Sequence, residues 1–439
     1  MYSYILTNII LPAGDFVFGS RYISNLKRLR KLVYSDEEYL KQHQSVLLKK
    51  VLEQATVRAP YYSNLKIERA HNPVDWLKKF PILTKDTIRT QGQALWTLPL
   101  TEHIIKNQTS GSTGLQTTVF VTKKEQSYYR AAQTLWWEWA GYRIGTPILQ
   151  TGQATSRTFE KRIKDLFFKT YYLFAFGIDA GQAKKAFLWS NNKNAFLGGY
   201  ASSLYVLSEI AEKEAVKITF KSAVSWGDKL FDHYRKNVER VFNCKIYETY
   251  GAGEGLMIAA QKDLQWMYIM SPCVYLEIVD DLGNEVPDGE MGHVVVTSLT
   301  AFAMPLIRYK LGDLAIKLPR ELYPQNRSLQ LPLLQKVIGR DTDLVVTPRG
   351  KKLIVHSFTG IFEYFPQIKQ FCVIQEYVEG VLIQYIPGDQ FDLSILLEIQ
   401  NRILSLLNEP FDLKFEQVSY IPVTKSGKPQ LIISKLQKK

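Results

Sequence analysis

Cysteine is scarce in this chain: Cys244, Cys273 and Cys372 are odd in number and far apart. That excludes a disulfide framework and suits a reducing compartment. Their spacing, with six scattered histidines, offers no zinc-ligand pattern, so no zinc is expected. Long apolar runs are missing as well. Residues Tyr2 to Phe18 are fairly apolar, but Asn8, Pro12 and Asp15 interrupt them and no charged region precedes them. Neither a signal peptide nor a spanning helix is expected there. The chain has no aromatic RNP-like motif, helix-turn-helix signal or zinc finger, which argues against nucleic acid as a partner. No glycine-rich loop ends in Gly-Lys-Ser/Thr, so a Walker-type NTPase is also excluded.

What is present is an ordinary globular composition, 46% hydrophobic and 22% charged, in 439 residues. That length exceeds what one core usually supports, and two or three domains are expected. Lysine and arginine (55) outnumber aspartate and glutamate (42), giving +13. A polyanionic ligand or an acidic membrane could use this charge, but a generally basic surface on a small-molecule enzyme is the simpler reading. The segment Arg21 to Leu32 mixes Tyr22, Leu26 and Leu29 with Lys27, Arg28, Arg30 and Lys31. It reads as a solvated helix packing on the body, the alternative being peripheral contact with an anionic membrane.

Secondary-structure signals follow in order. Ser35 with Glu38 makes a capping box before a stripe of Leu40, Leu47, Leu48, Val51 and Leu52. Thr84 and Asp86 start a helix that buries Ile88. Val119 to Val121 read as a strand end, and Tyr128, Ala132, Leu135 and Trp139 recur at helical spacing. The tryptophans at 136, 137 and 139 are read first as core and second as a substrate wall. From Gly198 to Tyr247 elements alternate: a helix with Leu204, Leu207 and Ala211, a strand at Ile218 to Val224, a helix with Leu230, Tyr234, Val238 and Val241, and a strand at Lys245 to Tyr247. That alternation indicates a layered α/β domain. From Cys273 the pattern becomes β. A linker at Leu318 to Pro332 precedes short strands (LVV, KKLIVHSF, QFCVIQEYV, VLIQYIP) and one helix marked by Leu393, Leu396, Leu397, Ile403, Leu404 and Leu407. The fold class is α/β: a large layered N-terminal domain with a β-rich part (1–338), hinged at Gly339 to Asp343 to a small α+β domain (339–439).

Five stretches carry chemistry. TSGSTGLQTT places Gly111 and Gly114 among Thr109, Ser110, Ser112 and Thr113, so backbone N–H groups and hydroxyls can converge on an anion. An ordinary surface turn has the same composition. YETYGAGEG puts Glu254 in a glycine-flanked turn straight after a strand, where ligands gather in open α/β sheets. A carboxylate facing a phosphate loop makes sense with Mg2+ between them. Asp313, in MPLIRYKLGDLA beside Arg308, sits where a strand-end acid can bind ribose hydroxyls. VIGRDTDLVV supplies Arg340, and IPVTKSGKPQ presents Lys428 on a turn.

Together these stretches resemble the adenylate-forming superfamily of acyl-CoA synthetases, adenylation domains and luciferases, from Tyr61 to Lys428 and in the right order. APYYSNL, FPILTKDTIR, GYASSLYVL and AMPLIRYKLGD are most similar to the phenylacetate-CoA ligase-like branch, which includes capsular polysaccharide biosynthesis proteins. The resemblance implies that Thr109 to Gly114 cradle ATP phosphates and that Glu254 helps bind Mg2+. Ser225, Trp226 and Gly227 would lie at the adenine, with Tyr250 and Gly251 beside the nucleotide. Asp313 and Arg340 would contact ribose, and Lys428 would stabilise the adenylation transition state. Thr113, Glu254 and Lys428 are the implied catalytic residues. There are departures: Thr117 stands where many relatives have lysine, Thr342 and Asp343 share the pivot position, and LMIAAQKDLQW has none of the zinc ligands some relatives carry.

The activity this implies is AMP-forming ligation of a small or aromatic carboxylate, using ATP and Mg2+, with CoA as acceptor. The alternative acceptors are a sugar amine or a carrier-protein thiol, and a catalytically idle homologue is the other class. The expected location is the cytoplasm, or the inner face of the membrane if the basic segment meets lipid.

Overall fold

The computed structural model describes residues 1–98, 104–108, 117–154, 157–340, 344–362, 364–388, 390–407, 409–422 and 431–436. Two compact units are distinguished: Met1–Leu311 with Ile316–Lys336, and Gly312–Ala315 with Val337–Lys439.

The first unit begins with α1 (Tyr2–Ile5), a π-helical turn (Leu6–Ile10) and α2 (Leu11–Phe18), which stops at Gly19 in the left-handed region. The Asp15 carboxylate accepts from the N–H groups of Tyr22 and Ile23 and so caps α3 (Tyr22–Leu32). This basic helix turns Ile23, Leu26, Leu29 and Leu32 inward and packs on the helix of residues 123–139. Tyr22 is hydrogen-bonded to Thr134 at 2.9 Å, and Arg30 pairs with Glu138. Its apolar side is therefore covered by protein. Among the described residues no helix is long and apolar enough to cross a membrane.

The expected cap of the next helix is displaced by one residue. Asp36, not Ser35, accepts from the Tyr39 N–H at 2.8 Å, and α4 (Glu37–Arg58) starts after it. An ionised acceptor makes the stronger cap, and Glu38 instead accepts from Gln42. α5 (Pro60–Asn64) and α6 (Pro73–Lys78) follow. Thr84 caps α7 (Lys85–Gln91), which buries Ile88 as its spacing predicts. An antiparallel hairpin, β1 (Ile104–Gln108) with β2 (Thr118–Thr122), leads into α8 (Lys123–Trp139), where Thr122 and Glu125 form a capping box.

Parallel strands and helices then alternate: β3 (Ile148–Gly152), α9 (Phe159–Phe167), β4 (Thr170–Phe174), α10 (Ala180–Ser190), β5 (Phe196–Tyr200), α11 (Ala201–Lys213), β6 (Ala223–Trp226), α12 (Asp232–Phe242) and β7 (Ile246–Ala252). Leu149, Leu197, Ala223 and Ile246 pack with Phe187, Leu204, Leu207 and Phe242 to form the layer between sheet and helices. The strand expected at Ile218 to Val224 is shorter and later. Ile218 and Phe220 are buried, but that backbone makes single hydrogen bonds, Phe220 N–H to Phe242 and Lys221 N–H to Ala195, and no ladder until Ala223. β7 in turn runs past Tyr247 to Ala252.

Six more strands complete the sheet, β8 (Leu256–Gln261), β9 (Met267–Ile269), β10 (Val274–Val279), β11 (Met291–Ser298), β12 (Tyr309–Lys317) and β13 (Leu333–Arg340), with β7–β8, β8–β9, β9–β13 and β10–β11 antiparallel. Its eleven strands run β10-β11-β12-β13-β9-β8-β7-β6-β5-β3-β4. Arg308, at the head of β12, adopts φ +49, a costly conformation for arginine. Its side chain holds it there. The buried guanidinium lies 3.1 Å from the Glu277 carboxylate and donates to the carbonyls of Phe80 and Gly283.

The second unit contains a hairpin of β14 (Leu344–Val346) and β15 (Lys352–Ile354), then α13 (Val355–Phe362), β16 (Ile368–Tyr377), β17 (Gly380–Pro387), α14 (Ser394–Leu407), β18 (Asp412–Gln417) and β19 (Ile432–Ser434). The four-stranded sheet runs β18-β17-β16-β19. KKLIVHSF is strand only to Ile354 and helix after it. In α14 the buried stripe is Ile399, Ile403 and Leu407, while Leu393 and Leu397 are exposed. The buried Gln375 side chain accepts from Val346 N–H and donates to Val346 C=O, at 2.9 and 2.7 Å, which ties β16 to β14.

Two outcomes follow. Arg308→Met, which leaves Glu277 buried without its cation, should lower unfolding free energy in urea by about 3–5 kcal/mol, and the added change Glu277→Leu should restore part of it. All three thiols are buried, and burial pushes those of Cys244 and Cys273 up to about 12. Thiolate is the reactive form, so a disulfide reagent at about pH 8 should label none in the native protein and all three in denaturant.

Candidate active site

The parallel strands deliver their carboxyl ends side by side, the place where open α/β sheets bind ligands. β6 and β7 are neighbours there, with Ser225 opposite Glu248. Ser225, Trp226 and Gly227 thus lie beside the strand that carries Tyr250 and Gly251 and leads to Glu254.

Glu254 sits in the β7–β8 turn and is buried, 5% exposed. The Tyr309 hydroxyl donates to its Oε1 at 2.7 Å. Tyr309 is itself fully buried, and its flanks are clamped: Leu83 N–H donates to Arg308 C=O and Lys310 N–H to Leu83 C=O, both at 2.9 Å. The carboxylate is therefore held in one place by a residue fifty-five positions later. Gly251 is needed for a different reason. The ladder slips between Tyr250 and Gly251, and a Cβ on Gly251 would come 2.8 Å from the Leu256 carbonyl.

On β6, the buried Ser225 Oγ has no hydrogen-bond partner among the described residues, while its carbonyl accepts from Thr249 at 2.8 Å. An orphaned hydroxyl of this kind suits a polar ligand atom such as those on a purine edge. Trp226 stacks on Trp137, centroids 5.6 Å apart and planes 18° from parallel. The stack fits only because Gly198 has no side chain, since a Cβ there would lie 2.7 Å from Trp226. Trp136 and Trp139 are buried core, as their spacing predicts. Gly227 has φ +82, and a Cβ on it would overlap the Tyr200 ring, which packs 5.4 Å from Phe176.

Charge around these strand ends is mixed. Burial, reinforced by Lys336, pulls the Lys229 ammonium down to about 8, with Glu248 and Asp232 acting the other way. Burial also pushes the Glu248 carboxyl up, against the pull of Arg235 and Lys229.

The remaining expected residues fall into two groups. Thr109, Ser110, Gly111, Ser112, Thr113, Gly114, Thr342, Asp343 and Lys428 fall outside the described residues. Thr117, which is described, is buried. Asp313 belongs to the second unit and does not end a strand: it lies within β12, after Gly312 at φ +87. The left-handed glycine, not a strand terminus, breaks the regular pattern there. Arg340 is the last residue of β13, in the same unit.

Three residues escaped the sequence reading. Tyr309 carries no local signal. Asp228 caps α11 from twenty-seven positions away, accepting from Ala201 N–H at 2.6 Å and Ser202 N–H at 3.2 Å. Glu125, by contrast, stands in a legible Thr-x-x-Glu box, and its other oxygen holds the N–H groups of Phe302 and Ala303.

Gly227→Ala combines left-handed strain with overlap on Tyr200, and should cost about 2–4 kcal/mol of stability by urea unfolding. Tyr309→Phe removes one hydrogen bond to a charged acceptor and should cost about 1.5–3 kcal/mol by the same measurement.

Residues 345–435 match the family model of the CapK C-terminal domain. Protein CapK of Staphylococcus aureus is 22% identical over 383 residues, covering 82% of this chain and 81% of CapK. Phenylacetate-coenzyme A ligase of Pseudomonas putida is 25% identical over 363 residues, covering 77% and 78%. Among solved structures, 2-hydroxyisobutyryl-CoA ligase in its postadenylation state, in complex with R3-HIB-AMP, shares the fold with TM-score 0.73 at 17% identity over 92% of each chain. ATP-bound MatB from Rhodopseudomonas palustris aligns with TM-score 0.55 at 17% identity over 74% of this chain and 66% of its own. Over most of its length, then, the chain is similar to CapK and to phenylacetate-coenzyme A ligases, and it shares its fold with solved adenylate-forming ligases.

Proposed function

We propose that this protein activates a small or aromatic carboxylic acid with ATP, through an acyl-adenylate, and passes the acyl group to CoA. The observation that carries the reading is Glu254, a buried carboxylate fixed by Tyr309 in the turn after the strand that runs beside Ser225. The relatives' names support the reaction class: phenylacetate-coenzyme A ligase and 2-hydroxyisobutyryl-CoA ligase.

Charge dictates the division of labour. An oxygen of the acid bonds to the α-phosphorus of ATP as the bond to pyrophosphate breaks, and negative charge gathers between two anions. The N–H and hydroxyl donors of Thr109 to Gly114, Thr113 among them, and the Lys428 ammonium would stabilise it. Glu254, an oxygen donor of the kind Mg2+ prefers, would hold that ion, which supplies further neutralisation of phosphate charge when bound. Ser225, Trp226 and Gly227 receive adenine, with Tyr250 and Gly251 beside it, and Asp313 and Arg340 hold the ribose. Because Thr117 replaces the lysine common in related loops, Lys428 carries more of the positive charge. Domain 339–439 then turns against domain 1–338 about Gly339 to Asp343 and withdraws Lys428. The acceptor thiol attacks the acyl carbon, AMP leaves, and a thioester remains. Tyr200, whose ring packs beside Gly227, and Phe176, packed on it, are the aromatic side chains offered to a small or aromatic acid.

A second reading keeps adenylation but sends the acyl group to a sugar amine or a carrier-protein thiol. The match of residues 345–435 to the CapK C-terminal domain supports it, because that part of the chain would face the acceptor.

AMP release measured over a panel of carboxylic acids separates the readings. Stimulation by CoA supports the first, and stimulation only by an amino sugar or a carrier protein supports the second. Lys428→Ala should slow pyrophosphate release by about 100-fold or more. Release unchanged by that substitution would remove Lys428 from the mechanism.

A further inference from the structure

Helix α9 is built the wrong way round for a helix in water. Phe159, Ile163, Leu166 and Phe167 recur at the spacing of one helical face. A packed helix would bury that face, yet all four residues are exposed, Phe159 at 78% and Leu166 at 76%. The side that faces the protein carries Asp165, paired with Arg157 and only 18% exposed. The Arg157 guanidinium also lies 4.2 Å over the Tyr172 ring of β4, so this polar anchor fixes which way α9 is turned.

The N-terminal helices meet the end of α9 and add further exposed apolar residues. Tyr2 OH donates to the Phe167 carbonyl at 2.5 Å, and Lys169 Nζ sits 4.1 Å over the Tyr2 ring, so α1 meets the end of α9. Beyond that junction Tyr4, Ile9, Phe16, Val17 and Phe18 are exposed too. The acid of this helical stretch, Asp15, is used up in capping α3.

Charge decides what covers the patch. At 100° per residue, Arg162 and Lys164 lie on the two sides of the apolar arc of α9, with Glu160 between the arc and Lys164. Residues 157–169 carry five cations (Arg157, Lys161, Arg162, Lys164, Lys169) and two acids (Glu160, Asp165), five minus two giving +3. An apolar arc with cations on its flanks is the pattern of a helix lying in the plane of an anionic bilayer, its rings among the acyl chains and its lysines at the headgroups. A second copy fits less well, because it would bring the same cations, and a chain of formal charge +13, against each other.

We propose that α9, extended by the N-terminal helices, seats this protein on an anionic lipid surface. This surface is separate from α3, whose apolar side α8 covers, and from the strand ends that carry Ser225 and Glu254, and the proposal does not rest on the catalytic reading. The test is sedimentation of the full chain with phosphatidylcholine vesicles, with and without phosphatidylglycerol. Binding should require the anionic lipid, weaken with salt, and fall at least about tenfold in Phe159→Ser/Leu166→Ser and in Arg162→Glu/Lys164→Glu. These side chains are exposed, so thermal unfolding of both variants should match the parent. No binding to anionic vesicles, or binding that both double variants retain, would overturn the proposal. So would a dimer in sedimentation velocity that Phe159→Ser/Leu166→Ser abolishes, since the patch would then belong to a second copy.

Discussion

The buried pair between Arg308 and Glu277 is the contact on which the candidate site depends. A charged pair in the interior is costly to desolvate and holds only when its remaining donors are satisfied. Here they are: the guanidinium also reaches the carbonyls of Phe80 and Gly283, so one side chain ties the segment after α6, strand β10 and its following turn to the head of β12. The backbone of Arg308 accepts a left-handed conformation to do this. The next residue, Tyr309, is thereby delivered to Glu254 with its hydroxyl in hydrogen-bonding position. A structural anchor and a site residue are neighbours in the chain, and the strain of the first sets the geometry of the second.

The same economy appears at β6. Trp226 and Tyr200 need room that only Gly198 and Gly227 leave, so two glycines set where these rings lie. Asp228, next in sequence, caps α11 and fixes the start of that helix against β6. The residues proposed to bind substrate therefore ride on elements whose positions are set by capping, close packing and one buried ion pair. Such support keeps a site in a productive geometry without help from the ligand.

Local signals in the sequence were read correctly where local physics decides the outcome. Thr84 caps α7, Ile88 is buried, the alternation from Gly198 onward is a layered α/β sheet, and Glu254 follows a strand. Misreadings arose where two local choices compete or a distant partner intervenes. Asp36 outbids Ser35 for the same cap. Ile218 and Phe220 are apolar and buried, yet their backbone finds single partners instead of a strand neighbour. The helix marked by Leu393 to Leu407 does form, but which of its apolar residues are buried, Ile399, Ile403 and Leu407, is set by tertiary packing. The strand order, the Tyr309 partner of Glu254 and the reversed burial of α9 are tertiary facts that no window of sequence contains.

If the account is right, the first half-reaction needs only ATP and an acid, since the acceptor enters after pyrophosphate has left. Exchange of labelled pyrophosphate into ATP, in the absence of CoA, amine or carrier protein, measures that step directly. The account predicts exchange that appears only when a suitable carboxylic acid is added and that disappears in Glu254→Gln. Conversion of ATP to ADP and phosphate, or exchange that proceeds equally without any acid, would contradict it.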